Sequence, residues 1–373
     1  MMKKILVIGN GDSVFVKDFI YQYKSKGCII DLISWGSETK IDGIRNVSIC
    51  SIKNTGSPVL NHLKIFNKIK AGLKLFENDY DVIVIHSIFF FLAPHMFHLK
   101  RKAKRIVSVV WGSDFYRVTS KIKIFFQNVI YKNSNVIVFT NPKTKSIFNN
   151  RKKNIKTELK IARFGLPVLQ EIDVLRKENQ SELCSGFNLP KDKIKIMVGY
   201  NANLAHEQLL VIDEVGRFEN SLLEKIHLIF PLGYGGANSK VAIEEKLKRN
   251  PSINYTILED FLNFHNAAKL RLVTDILINI QPTDQFSGSM QETLYAGGWV
   301  LTGNWLPYEM LMELEPKILL INSKEEVGEN LAKLINENAK CSSVNTEKIQ
   351  EYIRKESSWE KNLIIWDSIM FGV

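Results

Sequence analysis

Residues 284–302, DQFSGSMQETLYAGGWVLT, contain a turn of small residues, a helix-like run and a strand-like run in immediate succession. The small residues Ser287–Ser289 favour a turn that opens a helix, and the helical run ends at Gly297-Gly298. The apolar residues 299–302 that follow are typical of a buried strand. A helix that leads directly into a strand is the repeating unit of an α/β protein, so this stretch predicts an α/β fold.

The same alternation of short apolar runs and helical runs extends over the rest of the chain. Near-continuous apolar strands separated by helices are typical of a parallel sheet covered on both faces. The pattern breaks once, at Gly165-Leu166-Pro167. We therefore predict two doubly wound, Rossmann-like domains facing each other across a cleft: residues 1–168, residues 169–345, and a C-terminal helix, residues 346–373, that crosses back to the first domain. The predicted strands are Ile5–Ile8, Ile29–Ile33, Val82–His86, Ile106–Val110, Val136–Thr140, Leu159–Ala162, Ile194–Gly199, Ile226–Phe230, Ile253–Leu258, Ile276–Ile280, Trp299–Thr302 and Ile318–Ile321.

The net charge of +11 is concentrated in the first half of the chain. Residues 1–170 contain 29 Lys and Arg against 10 Asp and Glu, whereas the remainder contains 21 against 29. This asymmetry predicts that only the N-terminal domain meets an anionic partner. The chain carries no nucleic-acid-binding signature, so we predict an anionic membrane surface and no nucleic acid. A generally Lys-rich composition without a specific partner is the alternative.

One segment of the basic half has the order expected of an interfacial membrane contact. The apolar residues 88–97 are followed by the basic residues 100–105. An apolar surface beside a basic one is typical of a segment that lies on a membrane, although a buried helix with a solvated end gives the same pattern.

The sequence also indicates the cellular compartment in which the protein is located. It has no run of 18 apolar residues, and the apolar part of its N-terminal segment is too short for a signal peptide. Its cysteines, Cys28, Cys50, Cys184 and Cys341, lack the spacing of a disulfide framework or a metal site. We therefore expect a cytoplasmic protein with reduced thiols, peripheral at the inner face of the cell membrane.

Polar residues stand where two strands of the N-terminal half end. His86 closes the apolar run 82–85, and Asp114 follows the run 107–110. Because open α/β sheets bind ligands at the carboxyl ends of their strands, both are candidate catalytic residues. His86 is suited to a ligand contact or general-base role, and Asp114 to orienting a ligand hydroxyl or accepting its proton. A structural histidine and an aspartate that caps a helix are the alternatives.

Three polar loops follow strands of the C-terminal half and predict a sugar-nucleotide pocket. Glycines let the backbone approach a ligand closely, a tyrosine offers a stacking surface, and free amides at a helix start bind anions. Asparagine in the first loop as a helix cap is the alternative. The candidate binding residues of these loops are Asn201, Asn203, His206, Gly233, Tyr234, Gly235, Ser287, Gly288 and Ser289.

Two acids accompany the third loop, Asp284 before it and Glu292 one turn into the helix. A carboxylate at that point of a helix can accept hydrogen bonds from sugar hydroxyls. We therefore predict Glu292 as a binding residue.

The two-domain layout, the spacing of Asp284 and Glu292 and the Gly297-Gly298 pair resemble the GT-B glycosyltransferases. More narrowly, Trp111-Gly112-Ser113-Asp114, the Asn201–Glu207 turn and Pro231–Gly235 resemble the bacterial Fuc4NAc (4-acetamido-4,6-dideoxygalactose) transferases of enterobacterial common antigen assembly.

The resemblance to retaining GT-B enzymes implies that Glu292 holds the donor ribose and that Asp284 lies near hydroxyls of the transferred sugar, which makes Asp284 a candidate catalytic residue. The family's usual first acid is Glu, so Asp284 is a departure with a shorter reach. The usual Arg/Lys pair is also missing from the loop after Val198. Neutralisation of the diphosphate would then depend on Arg163 or on backbone amides.

The resemblance further implies a glycosyltransferase of bacterial surface polysaccharide synthesis. It would move a hexosyl or N-acetylaminosugar group from a nucleotide-diphosphate sugar, with UDP or TDP, to a glycan or polyprenyl-linked acceptor. Because paired cysteines and His-x-x-x-His spacing are absent, we predict no metal site and no cofactor beyond the donor. A sugar-nucleotide epimerase of GT-B-like fold and a non-catalytic membrane- or polysaccharide-binding protein are the alternatives.

Overall fold

The computed structural model describes residues 2–35, 41–49, 58–76, 79–314, 316–337 and 346–372. The chain divides into two compact units. The N-unit comprises Met1–Gly165 with Trp359–Val373, and the C-unit comprises Leu166–Ser358. The predictions made for Cys50 and Cys341 fall outside the described residues.

The N-unit contains a seven-stranded sheet in the order β3-β2-β1-β4-β5-β6-β7, and every neighbouring pair is parallel. The order reverses between β1 and β4, which is the mark of a doubly wound sheet. The strands are β1 (Lys4–Gly9), β2 (Ile29–Ser34), β3 (Arg45–Ser48), β4 (Tyr80–His86), β5 (Ala103–Val110), β6 (Val136–Phe139) and β7 (Glu158–Ile161).

Helices cover both faces of this sheet. On β4, Val82 and Val84 pack in one buried cluster with Phe19 and Trp366, while the alternate residues pack in a second cluster. Burial on both sides explains why the strands appear in the sequence as continuous apolar runs. The N-unit helices are α1 (Val14–Ser25), α2 (Pro58–Leu75), α3 (Met96–Lys102), α4 (Ser113–Tyr116), α5 (Lys121–Asn133) and α6 (Pro142–Arg151), with a 3-10 helix at Phe90–His95.

The C-unit contains a six-stranded parallel sheet in the order β10-β9-β8-β11-β12-β13. Numbered within the unit this is 3-2-1-4-5-6, the Rossmann order, with its reversal between β8 and β11. The strands are β8 (Ile194–Val198), β9 (Ile226–Pro231), β10 (Tyr255–Leu258), β11 (Ile276–Asn279), β12 (Trp299–Gly303) and β13 (Ile318–Ile321).

The C-unit helices alternate with these strands. They are α7 (Val168–Leu175), α8 (Gln180–Ser185), α9 (Gln208–Val215), α10 (Asn220–Leu223), α11 (Ala237–Lys248), α12 (Phe264–Val273), α13 (Gly288–Ala296), α14 (Glu309–Met312), α15 (Val327–Asn336) and α16 (Glu347–Ser357), with 3-10 helices at Leu204–His206 and Lys324–Glu326. The last helix of the chain, α17 (Trp359–Phe371), belongs to the N-unit.

The α/β prediction with two doubly wound sheets is confirmed, one strand was missed and one local prediction is wrong. Strand β3 was not predicted. The terminal segment predicted as a single helix is two helices, because Ser358 between them has extended backbone (φ −88°, ψ 147°). Serines favour caps over helix interiors, which suits this break.

None of the helices in the described ranges is long and apolar enough to cross a bilayer.

Candidate functional site

The reversal of strand order in the C-unit places three loops at one edge of its sheet. The loops after β8, β9 and β11 all leave from the carboxyl ends of parallel strands, and β8 and β11 are the neighbours at the reversal. Loops on either side of such a point diverge and leave a crevice, which is where open α/β sheets bind ligands. This edge carries the predicted binding residues.

The loops after β8 and β9 are joined directly. The backbone N–H of Ala202 donates to the carbonyl of Tyr234 at 2.7 Å. Gly235 has φ +109°, and a Cβ placed there would lie 2.8 Å from the amide nitrogen of Asn203. The glycine is therefore required by the close approach of the two loops.

Gly233 meets a different neighbour. A Cβ at this residue would lie 2.2 Å from the carbonyl oxygen of Asp260. The sequence predicted that Gly233 and Gly235 allow a ligand to approach the backbone. In the structure, another segment of the backbone packs against each of them.

The polar residues of the first loop stabilise the loop itself. The Asn201 Oδ1 accepts from the Asn203 amide at 2.8 Å, and the Asn203 Oδ1 accepts from the Ala205 amide at 3.0 Å, which caps the 3-10 helix. The His206 ring is 2% exposed and packs edge-on against Tyr200, with centroids 4.2 Å apart. The cap role that stood as the alternative for Asn203 is the one its contacts show.

Helix α13 begins at the third loop. Ser287 is its N-cap, and the Ser287 Oγ accepts from the Met290 amide at 3.3 Å. The amides of Gly288 and Ser289 lie in the first turn, where the helix itself supplies no acceptor. With the helix dipole they form a place suited to a phosphate.

Glu292, on the same helix, forms a buried ion pair with Arg271 of α12. The Arg271 Nε donates to the Glu292 Oε2 at 3.0 Å, and neither side chain is more than a tenth exposed. The guanidinium also donates to the Ser289 Oγ at 2.8 Å and to the Met197 Sδ at 3.0 Å. Arg271 therefore fixes Glu292 and Ser289 relative to β8.

Sequence reasoning missed Arg271. It lies on α12 in an apolar context, Leu270-Arg271-Leu272, and 21 positions before its partner. The available signal was a charged residue on the buried side of a helix, which normally requires a partner. It supplies a buried cation beside the first turn of α13.

Tyr234 connects the second loop to this ion pair. Its ring is half exposed, but desolvation at the hydroxyl raises the pKa of Tyr234. A hydrogen bond with Asn201 and the charge of Arg271 lower that pKa, and the charge of Glu292 raises it. These interactions place the Tyr234 hydroxyl near Asn201 of the first loop, Arg271 of α12 and Glu292 of α13.

Asp284 is held by a separate set of contacts. Its Oδ1 accepts from the Gln285 amide at 2.7 Å, and its Oδ2 accepts from the Tyr308 hydroxyl. That hydroxyl accepts in turn from the Asn279 Nδ2 at 2.9 Å. Desolvation raises the pKa of Asp284, and the hydrogen bonds from Tyr308 and Gln285 partly offset it. The carboxylate is thus oriented before any ligand binds.

His86 lies in the N-unit, at the carboxyl end of β4. Its ring is 1% exposed, with Phe19 4.9 Å and Phe164 5.6 Å away between ring centroids. Neither ring nitrogen has a hydrogen-bond partner among the described residues. Burial lowers the pKa of His86 to about 3, so the ring is neutral at pH 7.

Asp114 links the loops after β4 and β5 of the N-unit. Its Oδ2 accepts from the Ile88 amide at 2.7 Å, and its Oδ1 accepts from the Trp111 amide at 2.9 Å. Desolvation raises the pKa of Asp114 to about 6 despite these bonds. Both carboxylate oxygens of Asp114 therefore already accept hydrogen bonds from backbone amides.

Across the described ranges, no group of three or more His, Cys, Asp and Glu side chains is arranged to hold a metal ion. The two acids at the start of β4, Asp79 and Asp81, pair with Lys4 and Lys104.

Known proteins are similar to this chain in part of its sequence and in its whole fold. Residues 4–141 match the family model described as Glycosyl transferase 4-like, which covers the N-unit from β1 through β6. No curated protein matches the chain.

Solved structures match over nearly the full length. Sucrose-phosphate synthase from Thermosynechococcus elongatus has a TM-score of 0.75 at 12% identity, covering 98% of each chain. A glycosyltransferase from Rickettsia africae ESF-5 has a TM-score of 0.69 at 16% identity, covering 100% of each chain. An E. coli structure described as trehalose-6-phosphate bound with UDP-2-fluoro glucose has a TM-score of 0.70 at 13% identity, covering 100% of this chain and 99% of the other. The predicted two-domain GT-B fold is confirmed, while the narrower resemblance to Fuc4NAc transferases stays a prediction.

Proposed function

We propose that this protein is a glycosyltransferase that moves a sugar from a nucleotide-diphosphate sugar to a glycan or polyprenyl-linked acceptor in bacterial surface polysaccharide synthesis. The GT-B fold and the family match of residues 4–141 support the reaction class. The basic N-unit supports an acceptor carried by an anionic membrane, and the protein then works as a peripheral enzyme at its cytoplasmic face.

The observation that carries the proposal is the placement of Glu292. It lies one turn into a capped helix, at the reversal point of the C-unit sheet, with one oxygen held by Arg271. We assign to its other oxygen the hydrogen bonds from the ribose of the donor, because a carboxylate can accept several hydrogen bonds. The first-turn amides of α13 bind the diphosphate, so sugar and phosphate recognition share one helix.

The chemistry requires stabilisation of the departing nucleotide diphosphate as the sugar leaves. The N-terminus of α13 supplies it without a bound metal, because helix amides and the helix dipole favour negative charge. Asp284 contacts hydroxyls of the transferred sugar, and its fixed orientation suits this role. In the N-unit, His86 and Asp114 lie at the edge where the acceptor binds.

UDP is the first donor nucleotide to test, with TDP second. The support for UDP is the E. coli structure of the same fold that is bound with UDP-2-fluoro glucose.

A thermal-shift screen with UDP, TDP, GDP and CMP tests the donor site. We expect UDP or TDP to raise the unfolding midpoint, because a ligand that binds only the folded protein stabilises it by RT ln(1 + [L]/Kd). No shift with any nucleotide would favour a non-catalytic binding protein. Product analysis of the matching nucleotide sugar, with and without lipid-linked acceptor, separates the classes: conversion of the sugar without acceptor would indicate an epimerase.

A further inference from the structure

Helix α16 carries polar residues on the face that meets α13. Gln350, Arg354 and Ser357 recur at the spacing i, i+4 and i+7, which places them on one side of the helix. The Gln350 Nε2 donates to the Tyr295 carbonyl at 3.0 Å, and the Arg354 Nε donates to the Tyr295 hydroxyl at 2.9 Å. The Ser357 hydroxyl donates to the Gln291 Oε1. Helix α13, which carries the proposed donor site, is therefore fastened to α16 along two turns of α16.

Gln291 continues this link into the third loop. Its Nε2 donates to the carbonyls of Phe286 and Ser287, at 3.3 Å in each case. One carboxamide therefore holds the loop with its nitrogen and Ser357 with its oxygen. Gln291 and Ser357 are 3% and 1% exposed, so water does not replace a broken bond. A shift of the loop must then move Ser357 as well or leave a buried polar group unpaired.

Ser357 lies where the chain leaves the C-unit. The chain enters this unit between Gly165 and Leu166 and leaves it between Ser358 and Trp359. The Leu166 amide donates to the Ser357 carbonyl at 2.9 Å, so entry and exit are paired at one point. Within the N-unit, a Cβ at Gly165 would lie 2.2 Å from the Trp359 ring, so the same two connections are in contact there too. Ser357 therefore holds both connections at their C-unit ends.

We propose that Gln291 is a positioning residue that couples the third loop to the two connections, so that a nucleotide diphosphate bound at this loop stabilises the Leu166–Ser357 pair. The inference rests on the proposed function, because its ligand is the donor nucleotide. An anion at the first-turn amides of α13 fixes the loop carbonyls that Gln291 holds, and the shared carboxamide then fixes Ser357. By linkage, the nucleotide binds the paired state more tightly than a state in which the pair is open.

Hydrogen exchange at the Leu166 amide, measured by mass spectrometry with and without saturating UDP, tests the proposal. In wild type we expect UDP to slow this exchange at least about tenfold, because local opening becomes rarer when the loop is occupied. In Ser357→Ala, which keeps the Ser357 carbonyl, the slowing should fall below about twofold, while the dissociation constant of UDP stays within about threefold of wild type. A purely structural hydroxyl would instead speed exchange equally with and without UDP.

Two references accompany this measurement. Amides of α10, which precedes β9 at the amino ends of the strands, should exchange at rates within about twofold with and without UDP. Thr293→Val is the matched variant, because it also removes a buried hydroxyl, one that donates within α13 to the Ser289 carbonyl at 2.8 Å. In this variant the UDP-dependent slowing at Leu166 should stay within about twofold of wild type.

Steady-state transfer gives a second measurement. Ser357→Ala should lower kcat about fivefold and leave the donor KM within about twofold, since the donor contacts are intact. The reason is that the proposed donor site lies in the C-unit and the proposed acceptor site in the N-unit, and the chain joins these units at the two connections.

A cycle without nucleotide separates this inference from the proposed function. Ser287→Ala removes the N-cap of α13 and loosens the third loop. We expect it to speed exchange at Leu166 at least about threefold in wild type, and by less than about 1.5-fold in Gln291→Met, where the carboxamide link is cut.

Each failure has its own meaning. Wild-type protein that does not bind UDP would overturn the donor assignment, and the cycle would still decide whether Gln291 links the loop to Leu166. Additive effects of Ser287→Ala and Gln291→Met would overturn that link. UDP that binds but slows exchange at Leu166 equally in wild type and Ser357→Ala would overturn the coupling to the nucleotide.

Discussion

Arg271 and Glu292 form a buried ion pair between α12 and α13, with 3.0 Å separating the Arg271 Nε from the Glu292 Oε2. Removal of one member of such a pair leaves an uncompensated charge, whereas replacement of both by apolar residues removes the need for pairing. The pair thus has separable effects on stability and on ligand binding.

Arg271→Met should lower the free energy of unfolding by about 3–5 kcal/mol, because Glu292 then remains buried without its cation. The double variant Arg271→Met/Glu292→Leu should recover most of that loss but bind no nucleotide. Urea denaturation of the two variants, together with UDP titration, checks both statements. A double variant no more stable than Arg271→Met would contradict the assignment of the loss to an unpaired carboxylate.

Asp284→Asn should slow sugar transfer about 100-fold or more while nucleotide affinity stays within about twofold, because Asp284 is proposed to contact the sugar and not the nucleotide. Steady-state rates and UDP titration measure the two quantities separately. Equal losses in rate and in UDP affinity would place Asp284 in nucleotide binding instead.

Tyr308→Phe serves as the matched variant for Asp284, because it retains the carboxylate and removes the hydroxyl that holds it. We expect a stability loss of about 1–3 kcal/mol, since Asn279 also loses its partner. The transfer rate should fall less than in Asp284→Asn. A rate equal to that of wild type would show that the orientation of Asp284 has no effect on transfer.

His86→Phe should make the protein less sensitive to acid. In the folded protein His86 stays neutral down to about pH 3, whereas in the unfolded chain it binds a proton near pH 6.5. Between these values the unfolded state holds more protons, so the free energy of unfolding falls as pH falls below 6.5. The stability of the variant relative to wild type should rise by about 2 kcal/mol between pH 7.5 and pH 5. Urea denaturation at the two pH values measures the difference; an unchanged difference would show that His86 protonates in the folded protein.

The strands were predictable because a sheet buried on both faces imposes continuous apolar sequence, as in Val82–Ile85. Strand β3 was not predictable, because Arg45-Asn46-Val47-Ser48 is short and largely polar. It lies at the sheet edge and is a strand because its backbone pairs with β2. Such pairing has no side-chain signature.

The residues of the candidate site also fall into two groups: those that the local sequence reveals and those that only the fold reveals. Glu292 and the Ser287 cap follow from local sequence, because a small-residue turn before a helix has its own pattern. The pairings of Arg271 and Tyr308 could not be found locally, because their partners lie 21 and 24 positions away and only the fold brings them together. The glycines of the second loop were predicted to allow a ligand to approach; that Asp260 and Asn203 approach them is visible only in the folded chain.

The central claim is that Glu292 holds the ribose of a nucleotide donor, and calorimetric titration of UDP tests it most directly. We expect wild-type protein to bind UDP and Glu292→Gln to bind about 10- to 100-fold more weakly, since hydrogen bonds to a charged group are lost. Glu224→Gln is the control, because Glu224 is exposed just before β9. It therefore lies at the amino ends of the strands, whereas the candidate site lies at their carboxyl ends. Loss of UDP affinity in Glu292→Gln alone, titrated at a temperature below the lowered thermal midpoint that an unpaired Arg271 causes, is the predicted result. Equal UDP affinity in Glu292→Gln and wild type would contradict the account.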